Sequence, residues 1–330
     1  MIVRPASRSS ARWLSALAVT IAAAGLSLPL LSQDAEKGPK LYVYLESSGP
    51  YMYAGDSTQV SILFKNIGDE PWTNPGMDIA GGFVVTDSDG RVLEKNKTAA
   101  LAPETQPKVL QPNAYYGEII DLDKLFPKIN RIGSYRVTWE APDVPAQSIV
   151  ARVIKKYDPE VDYKATIETE FGTIVLDFYR ELAPLHVKNF IDLANQGFYD
   201  DRTMFHRIIK DQVIFGGSPT GDERGSPGYN LPPEPNGLKV LKGSVAQVRN
   251  SLTGLNESGC IFLIAAEPQP QLDSRYTVFA RIVEGLETVK SITNLPTAGG
   301  GAGAAGRPIK DVTIKKISID EKKKASGRKS

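Results

Sequence analysis

The segment FHRIIKDQVIFGGSPTG, residues 205–221, places an aromatic ring, an imidazole and a guanidinium side by side, followed by an apolar run and two glycines. A short apolar run bounded by polar residues and glycine is typical of a buried strand. Arg207 is thus expected beside a strand, in the middle of an otherwise apolar stretch. The flanking sequence indicates which fold surrounds this arginine and which chemistry needs a guanidinium there.

Both flanks of this segment combine strands with helices. The stretch ATIETEFGTIVLDFY, residues 165–179, predicts a hairpin that turns at Phe171-Gly172. The stretch APLHVKNFIDLANQG, residues 183–197, predicts a helix, because proline stands in its first turn, apolar residues follow at helical spacing and glycine ends it. EGLETVKSI, residues 284–292, predicts a second helix by the same spacing. Two helices among strands predict an α+β, barrel-like domain.

Taken in chain order, these blocks resemble the cyclophilin-type peptidyl-prolyl isomerases. The resemblance also includes GSVAQVR, GCIFLIAAEPQPQLDSRYTVFARIVEGLETV and the closing RPIKDVTIKKISI, and it extends over residues 165–319. It implies a mainly β fold, a closed eight-stranded β-barrel with two helices, and a proline-binding groove on the outer face of the barrel. It also implies peptidyl-prolyl cis-trans isomerase activity (EC 5.2.1.8) on proline-containing peptides, without a cofactor or a metal ion.

The resemblance gives the arginine a chemical role. Rotation about an X-Pro bond is opposed by amide resonance, with a barrier of about 18–20 kcal/mol. A guanidinium that donates to the prolyl nitrogen weakens this resonance, and in cyclophilins the arginine of the Phe-His-Arg block does so, which makes Arg207 the catalytic candidate. The alternative is an exposed arginine that pairs with a carboxylate. The substrate-binding residues that the resemblance implies are Phe205, His206, Gln212, Val213, Phe215, Gln247, Ile261, Leu263, Leu272 and Tyr276.

The groove sequence departs from the family pattern. Family members usually have Phe-Met-Ile-Gln-Gly-Gly after the arginine, whereas this chain has Gln212, Val213, Ile214 and Phe215 before its two glycines. Phe215 replaces the glutamine that helps to orient the arginine, and Leu263 replaces an aromatic residue. These changes predict reduced isomerase activity. The alternative function is a catalytically weak or inactive barrel that binds extended peptides.

Composition excludes several other functions. A net charge of +1 gives no electrostatic reason to expect nucleic acid as a partner. One cysteine and two histidines do not suffice for a convincing zinc site. Cys260, in an apolar stretch, is interpreted as a small buried hydrophobic residue. His186, on the first predicted helix, is interpreted as a surface residue without a partner.

The first 35 residues predict export. An arginine-rich leader precedes the apolar run WLSALAVTIAAAGLSLPLL, residues 13–31, and a polar stretch follows, which is the order of a secretory signal peptide. We therefore expect a secreted or periplasmic protein of a bacterial envelope, free of the membrane after cleavage, that acts on unfolded envelope proteins. The alternative is an uncleaved anchor formed by residues 13–31.

Residues 40–154 have a different pattern from the C-terminal half. In TQVSILFKN and SYRVTWEAPD, apolar and polar residues alternate with the period of half-buried strands, and turn sequences separate such runs. This pattern predicts an immunoglobulin-like β-sandwich that serves as an accessory domain. Residues 155–164 are polar and predict a linker. Residues 320–330 predict a basic, disordered tail.

Overall fold

The computed structural model describes residue 38, residues 40–96, residue 99 and residues 109–142, 144–249, 256–298 and 305–322. The predicted leader, residues 1–35, lies outside these ranges. Within them, no helix is both long enough and apolar enough to cross a membrane.

The N-terminal half consists of short and medium strands with one small helical region. A three-stranded sheet has the order β1-β3-β7, a four-stranded sheet has the order β2-β9-β8-β5, and β4 pairs with β6. The strands are β1 (Leu41–Ser47), β2 (Met52–Tyr53), β3 (Gln59–Asn66), β4 (Trp72–Thr73), β5 (Phe83–Thr86), β6 (Val109–Leu110), β7 (Tyr115–Asp121), β8 (Gly133–Ala141) and β9 (Val144–Ile154). Helix α1 (Leu122–Leu125) and a 3-10 turn (Pro127–Asn130) stand between β7 and β8.

The alternation predicted for this half is confirmed. On β3, Val60, Ile62 and Phe64 are buried, and the intervening residues are partly exposed. Trp139 on β8 is fully buried, and its indole nitrogen donates a hydrogen bond of 2.9 Å to the carbonyl oxygen of Ile79. The three- and four-stranded sheets both contribute side chains to this core. The immunoglobulin-like topology itself stays a prediction.

The C-terminal half is a barrel with two helices. Its longer strands are β10 (Tyr163–Thr169), β11 (Gly172–Phe178), β12 (Thr203–Ile209), β13 (Val213–Ser218), β15 (Ser244–Arg249), β16 (Glu257–Ala265), β17 (Val278–Glu284) and β20 (Thr313–Glu321). Short strands are β14 (Asn230–Leu231), β18 (Thr297–Ala298) and β19 (Arg307–Pro308). The helices are α2 (Pro184–Asn195) and α3 (Leu286–Thr293), with a 3-10 turn at Pro270–Leu272. Both helices lie where the spacing of apolar residues predicted them.

Eight antiparallel strands close the barrel. The order is β13-β12-β20-β10-β11-β17-β15-β16, and β16 pairs again with β13, from Val213 opposite Ala265 to Gly216 opposite Phe262. The interior is filled by aliphatic and aromatic side chains. Phe190 of α2 lies 5.5 Å from both Phe262 and Phe279, measured between ring centroids. Because the interior is packed solid, any ligand-binding surface must lie outside it.

The two halves have separate hydrophobic cores and meet at α2. Asp192 of α2 is 1% exposed, and it accepts hydrogen bonds from the hydroxyls of Tyr53 (2.7 Å) and Tyr51 (3.2 Å) in the N-terminal half. Strand β9 ends at Ile154 and β10 begins at Tyr163, so β10 starts inside the predicted linker. Strand β20 continues to Glu321, so the first two residues of the predicted tail are part of the barrel.

Candidate functional site

A second hydrophobic cluster lies apart from the barrel interior. Its buried members, here called the outer cluster, are Val213, Phe215, Val240, Ala246, Leu263, Ala265 and Val278. Leu272 and Tyr276 pack against it and are partly buried. Alternation along β13 and β16 produces this arrangement, because Ile214 and Ile264 point into the barrel and their neighbours point outward. The outer cluster thus forms a second hydrophobic core on the outer side of the barrel wall, with Leu272 and Tyr276 partly exposed at its edge.

Arg207 lies at the rim of the outer cluster. It stands on β12 opposite Phe215 of β13, and its guanidinium carbon lies 5.0 Å from the centroid of the Phe215 ring. Its Nη1 donates to Oε1 of Glu223 at 2.5 Å. Its Nε and Nη2 make no hydrogen bond to any residue that the structure describes. With its side chain 39% exposed, Arg207 can still donate to an incoming ligand.

The structure brings together five of the predicted substrate-binding residues. Val213, Phe215, Leu263, Leu272 and Tyr276 all belong to the outer cluster or pack against it. Phe215 stands where the family pattern has the glutamine that helps to orient the arginine. Its ring presents a face to the Arg207 guanidinium, and such a face attracts a cation electrostatically.

Other predicted binding residues lie elsewhere. Gln212 is exposed, at the turn between β12 and β13. Phe205 and Ile261, which the resemblance assigned to substrate binding, are buried in the interior cluster. Gln247 is 2% exposed, and its amide nitrogen donates to the carbonyl oxygen of Ser258. These three residues are therefore buried within the barrel wall.

His206 is buried beside Arg207. It is 4% exposed, and neither ring nitrogen has a hydrogen-bond partner among the described residues. Burial lowers the pKa of His206, because the charged imidazolium loses its hydration. A neutral ring adds no second positive charge next to the guanidinium, and the substrate-binding role that the resemblance implied for His206 stays a prediction.

The surface position predicted for His186 is wrong. The His186 side chain is 0% exposed and lies between two carboxylates, with Nδ1 2.6 Å from Oε2 of Glu234 and Nε2 2.6 Å from Oε2 of Glu257. Burial lowers the pKa of His186, but hydrogen bonds and charge from Glu257 and Glu234 outweigh burial, so this pKa lies above its ordinary value. An imidazolium has an N–H on both nitrogens and can donate to both carboxylates.

His186, Glu234 and Glu257, here called the triad, are linked to the outer cluster through Thr277. Oε1 of Glu257 accepts a hydrogen bond of 2.8 Å from the backbone nitrogen of Thr277, and the Thr277 hydroxyl accepts one of 2.9 Å from the backbone nitrogen of Glu234. Thr277 stands between Tyr276 and Val278, both of which contact the outer cluster. The triad therefore restrains the backbone at Thr277, between two residues that contact the outer cluster.

The remaining chemical candidates are structural. Burial raises the pKa of the Cys260 thiol to about 12, which rules out a thiolate nucleophile near neutral pH. Across the described ranges, no group of three His, Cys, Asp or Glu side chains has an arrangement that could hold a metal ion, and this includes His186 with Glu234 and Glu257.

Sequence reasoning missed Glu223 and both carboxylates of the triad. Glu223 is in a loop between β13 and β14, where no periodicity predicts which way a side chain points. The burial of Glu257 could have been predicted from the sequence, because it begins the apolar stretch ESGCIFLIA, a strand that is buried throughout. A carboxylate at a buried position requires a partner, and a histidine is an obvious one.

Comparison with known proteins gives a consistent result for the barrel. Residues 164–319 match the family described as cyclophilin type peptidyl-prolyl cis-trans isomerase/CLD. The chain is 34% identical over 163 residues to a peptidyl-prolyl cis-trans isomerase of Arabidopsis thaliana, CYP18-2, covering 49% of this chain and 93% of that protein. It is 41% identical over 133 residues to a peptidyl-prolyl cis-trans isomerase of Synechococcus elongatus, covering 40% and 89% of the two chains.

Among solved structures, a cyclophilin type peptidyl-prolyl cis-trans isomerase of Cryptosporidium parvum matches with a TM-score of 0.45 and 28% identity. The match covers 49% of this chain and 99% of that one.

Proposed function

Because the chain belongs to the cyclophilin-type peptidyl-prolyl cis-trans isomerases, we propose that it is an exported isomerase of reduced activity that assists folding at X-Pro bonds. Its substrates are proline-containing segments of unfolded envelope proteins. Without a catalyst, isomerisation of such bonds takes roughly tens to hundreds of seconds, which can limit the rate of folding.

The position of Arg207 is the observation that supports this activity. A proline ring placed on the outer cluster brings its prolyl nitrogen to the rim where Arg207 lies. The Nε and Nη2 donors then meet that nitrogen as it becomes pyramidal in the twisted state. Catalysis requires only that this contact be better in the twisted state than in the planar one.

The reduced activity follows from the residues in and next to the outer cluster. Gln212 is exposed and polar where the family has an aromatic residue, and Leu263 offers less contact area than a ring. A weaker grip on the proline ring lowers the stabilisation of the transition state. The protein is therefore expected to accelerate isomerisation measurably, but less than family members with the aromatic pattern.

Replacing Gln212 by phenylalanine is expected to raise kcat/KM. Since Gln212 is exposed, the larger side chain can be accommodated without overpacking. An added aromatic contact worth ~1 kcal/mol corresponds to an increase of about three-fold to ten-fold. Refolding of a reporter protein limited by a cis-proline measures the effect. The same substitution at Gln111, exposed in the N-terminal half, is the control. An unchanged rate for Gln212→Phe would show that the ring does not reach the substrate.

The second candidate function is a peptide-binding module. It is favoured by the deep burial of Val213 and Leu263, at 1% and 0% exposure, which leaves little of either side chain for a proline ring to contact. The refolding assay separates the two functions. An isomerase in catalytic amounts speeds the slow phase, whereas a binding module slows refolding and acts only in stoichiometric amounts.

Export is supported by the order of charged, apolar and polar residues within residues 1–35. The mature protein is expected to consist of an accessory sandwich, residues 40–154, and the barrel, joined by the linker. Intact mass of the protein from its native envelope is expected to lack the leader. A full-length chain in the membrane fraction would instead support an anchor formed by residues 13–31.

A further inference from the structure

Two contacts hold the Arg207 guanidinium, and they restrain different motions. The Phe215 ring, 5.0 Å away, attracts the cation over a broad face but lets the guanidinium plane turn. A hydrogen bond in the guanidinium plane fixes that rotation. Glu223 supplies such a bond through Nη1.

The loop around Glu223 is built to hold this residue in place. The Asp222 carboxylate accepts hydrogen bonds from the Thr220 hydroxyl (2.7 Å) and from the Arg224 backbone nitrogen (2.9 Å). It also accepts two from the Arg224 guanidinium, at 2.8 and 2.6 Å. The residues on both sides of Glu223 are thus tied to one carboxylate. These hydrogen bonds from Thr220 and Arg224 hold the pKa of Asp222 well below its usual range, so they persist at neutral pH.

The contact between Glu223 and Arg207 is made through one nitrogen, which decides what it can do. A carboxylate that accepted hydrogen bonds from both terminal nitrogens would occupy donors that a substrate needs. Here Nη1 alone is engaged, and Nε and Nη2 are left without a hydrogen-bond partner in the described part of the chain. Glu223 therefore orients the guanidinium and leaves the catalytic donors available.

We propose that Glu223 is a positioning residue for Arg207, which fixes the rotation of its guanidinium above the Phe215 ring. This role rests on the proposed isomerase function, since it matters only if Arg207 acts on the prolyl bond. Both side chains of the pair are partly exposed, at 39% and 48%, so dissolved salt reaches and screens it.

The test compares Glu223→Ala and Glu223→Gln with the unmodified full chain, using a tetrapeptide with one X-Pro bond. We expect Glu223→Ala to lower kcat by about three-fold to five-fold with little change in KM, because orientation acts on the transition state. Glu223→Gln is expected to recover part of the loss, since its amide oxygen still accepts. Added salt is expected to slow the unmodified protein toward the rate of Glu223→Ala and to leave that variant unaffected.

Glu287→Ala is the matched control, because Glu287 forms an exposed ion pair with Lys290 on α3. It is expected to change neither kcat nor its salt dependence. If Glu223→Ala equals or exceeds the unmodified protein while Arg207→Ala is slow, the positioning role is overturned and the isomerase function stands. If the unmodified protein is itself no faster than Arg207→Ala, the isomerase function fails and the positioning role fails with it.

Discussion

Replacement of Arg207 by alanine is expected to lower kcat/KM for a short proline peptide by about 100-fold, because loss of one donor aimed at the transition state typically has this effect. Arg207 is partly exposed and belongs to neither the interior cluster nor the outer cluster of the barrel, so the variant is expected to fold normally. A protease-coupled assay of the cis-to-trans step measures the loss, and the urea midpoint confirms the fold.

Arg207→Lys is the matched control for this result. Lysine keeps the positive charge but has no planar array of donors and stacks poorly on Phe215. It is expected to lose nearly as much activity as Arg207→Ala. A lysine variant with normal activity would show that charge alone is sufficient, and that the orientation of the guanidinium has no role.

Replacement of His186 by alanine is expected to destabilise the barrel by about 3–5 kcal/mol, because it leaves the buried carboxylate of Glu257 and the partly exposed one of Glu234 without the cation between them. Glu257 is 1% exposed and cannot turn to solvent without moving β16. Urea denaturation measures the loss. The double variant His186→Ala with Glu257→Gln is expected to be more stable than the sum of the two single changes predicts, since the second substitution removes the unpaired charge.

The same triad predicts how this stabilisation depends on pH. The pKa of His186 in the folded protein is raised above its unfolded value, so the proton stabilises the folded state fully below the unfolded pKa of about 6.5. That contribution is lost as the pH rises through the folded pKa. The difference in free energy of unfolding between the unmodified protein and His186→Ala is therefore expected to become smaller as the pH rises above about 6. The size of the decrease depends on how far the folded-state pKa of His186 is raised. A difference that widens with pH would mean that the histidine is neutral in the triad.

The regular parts of this fold could be predicted from local sequence. Alternation placed Val60, Ile62 and Phe64 in one core, and helical spacing with a first-turn proline and a terminal glycine placed α2. These patterns work because each strand or helix buries one face, whatever its partner is. Closure of the barrel was predicted only from the resemblance of the ordered sequence blocks to the cyclophilin family. No local pattern specifies that closure.

The candidate site was only partly predictable for a physical reason. Val213, Phe215 and Leu263 lie together in the outer cluster because strand alternation carries them to the outer face, and their role in binding stays a prediction. Phe205 and Ile261 belong to the interior cluster, and membership of a sequence block does not say which side of the barrel wall a residue faces. His186 was misread because its partners, Glu234 and Glu257, come from a loop and a strand far along the chain. Loop residues such as Glu223 have no periodicity from which a contact could be inferred.

The most direct test of the account is exchange NMR of a tetrapeptide with one X-Pro bond, in the presence of catalytic amounts of the unmodified protein. This measurement records interconversion of the cis and trans forms at equilibrium, without a coupled protease or a folding client. If Arg207 catalyses isomerisation, exchange cross-peaks between the two isomers are expected that are absent for the peptide alone and disappear with Arg207→Ala. Peptide signals that shift on binding, with no exchange between isomers at any protein concentration, would contradict it.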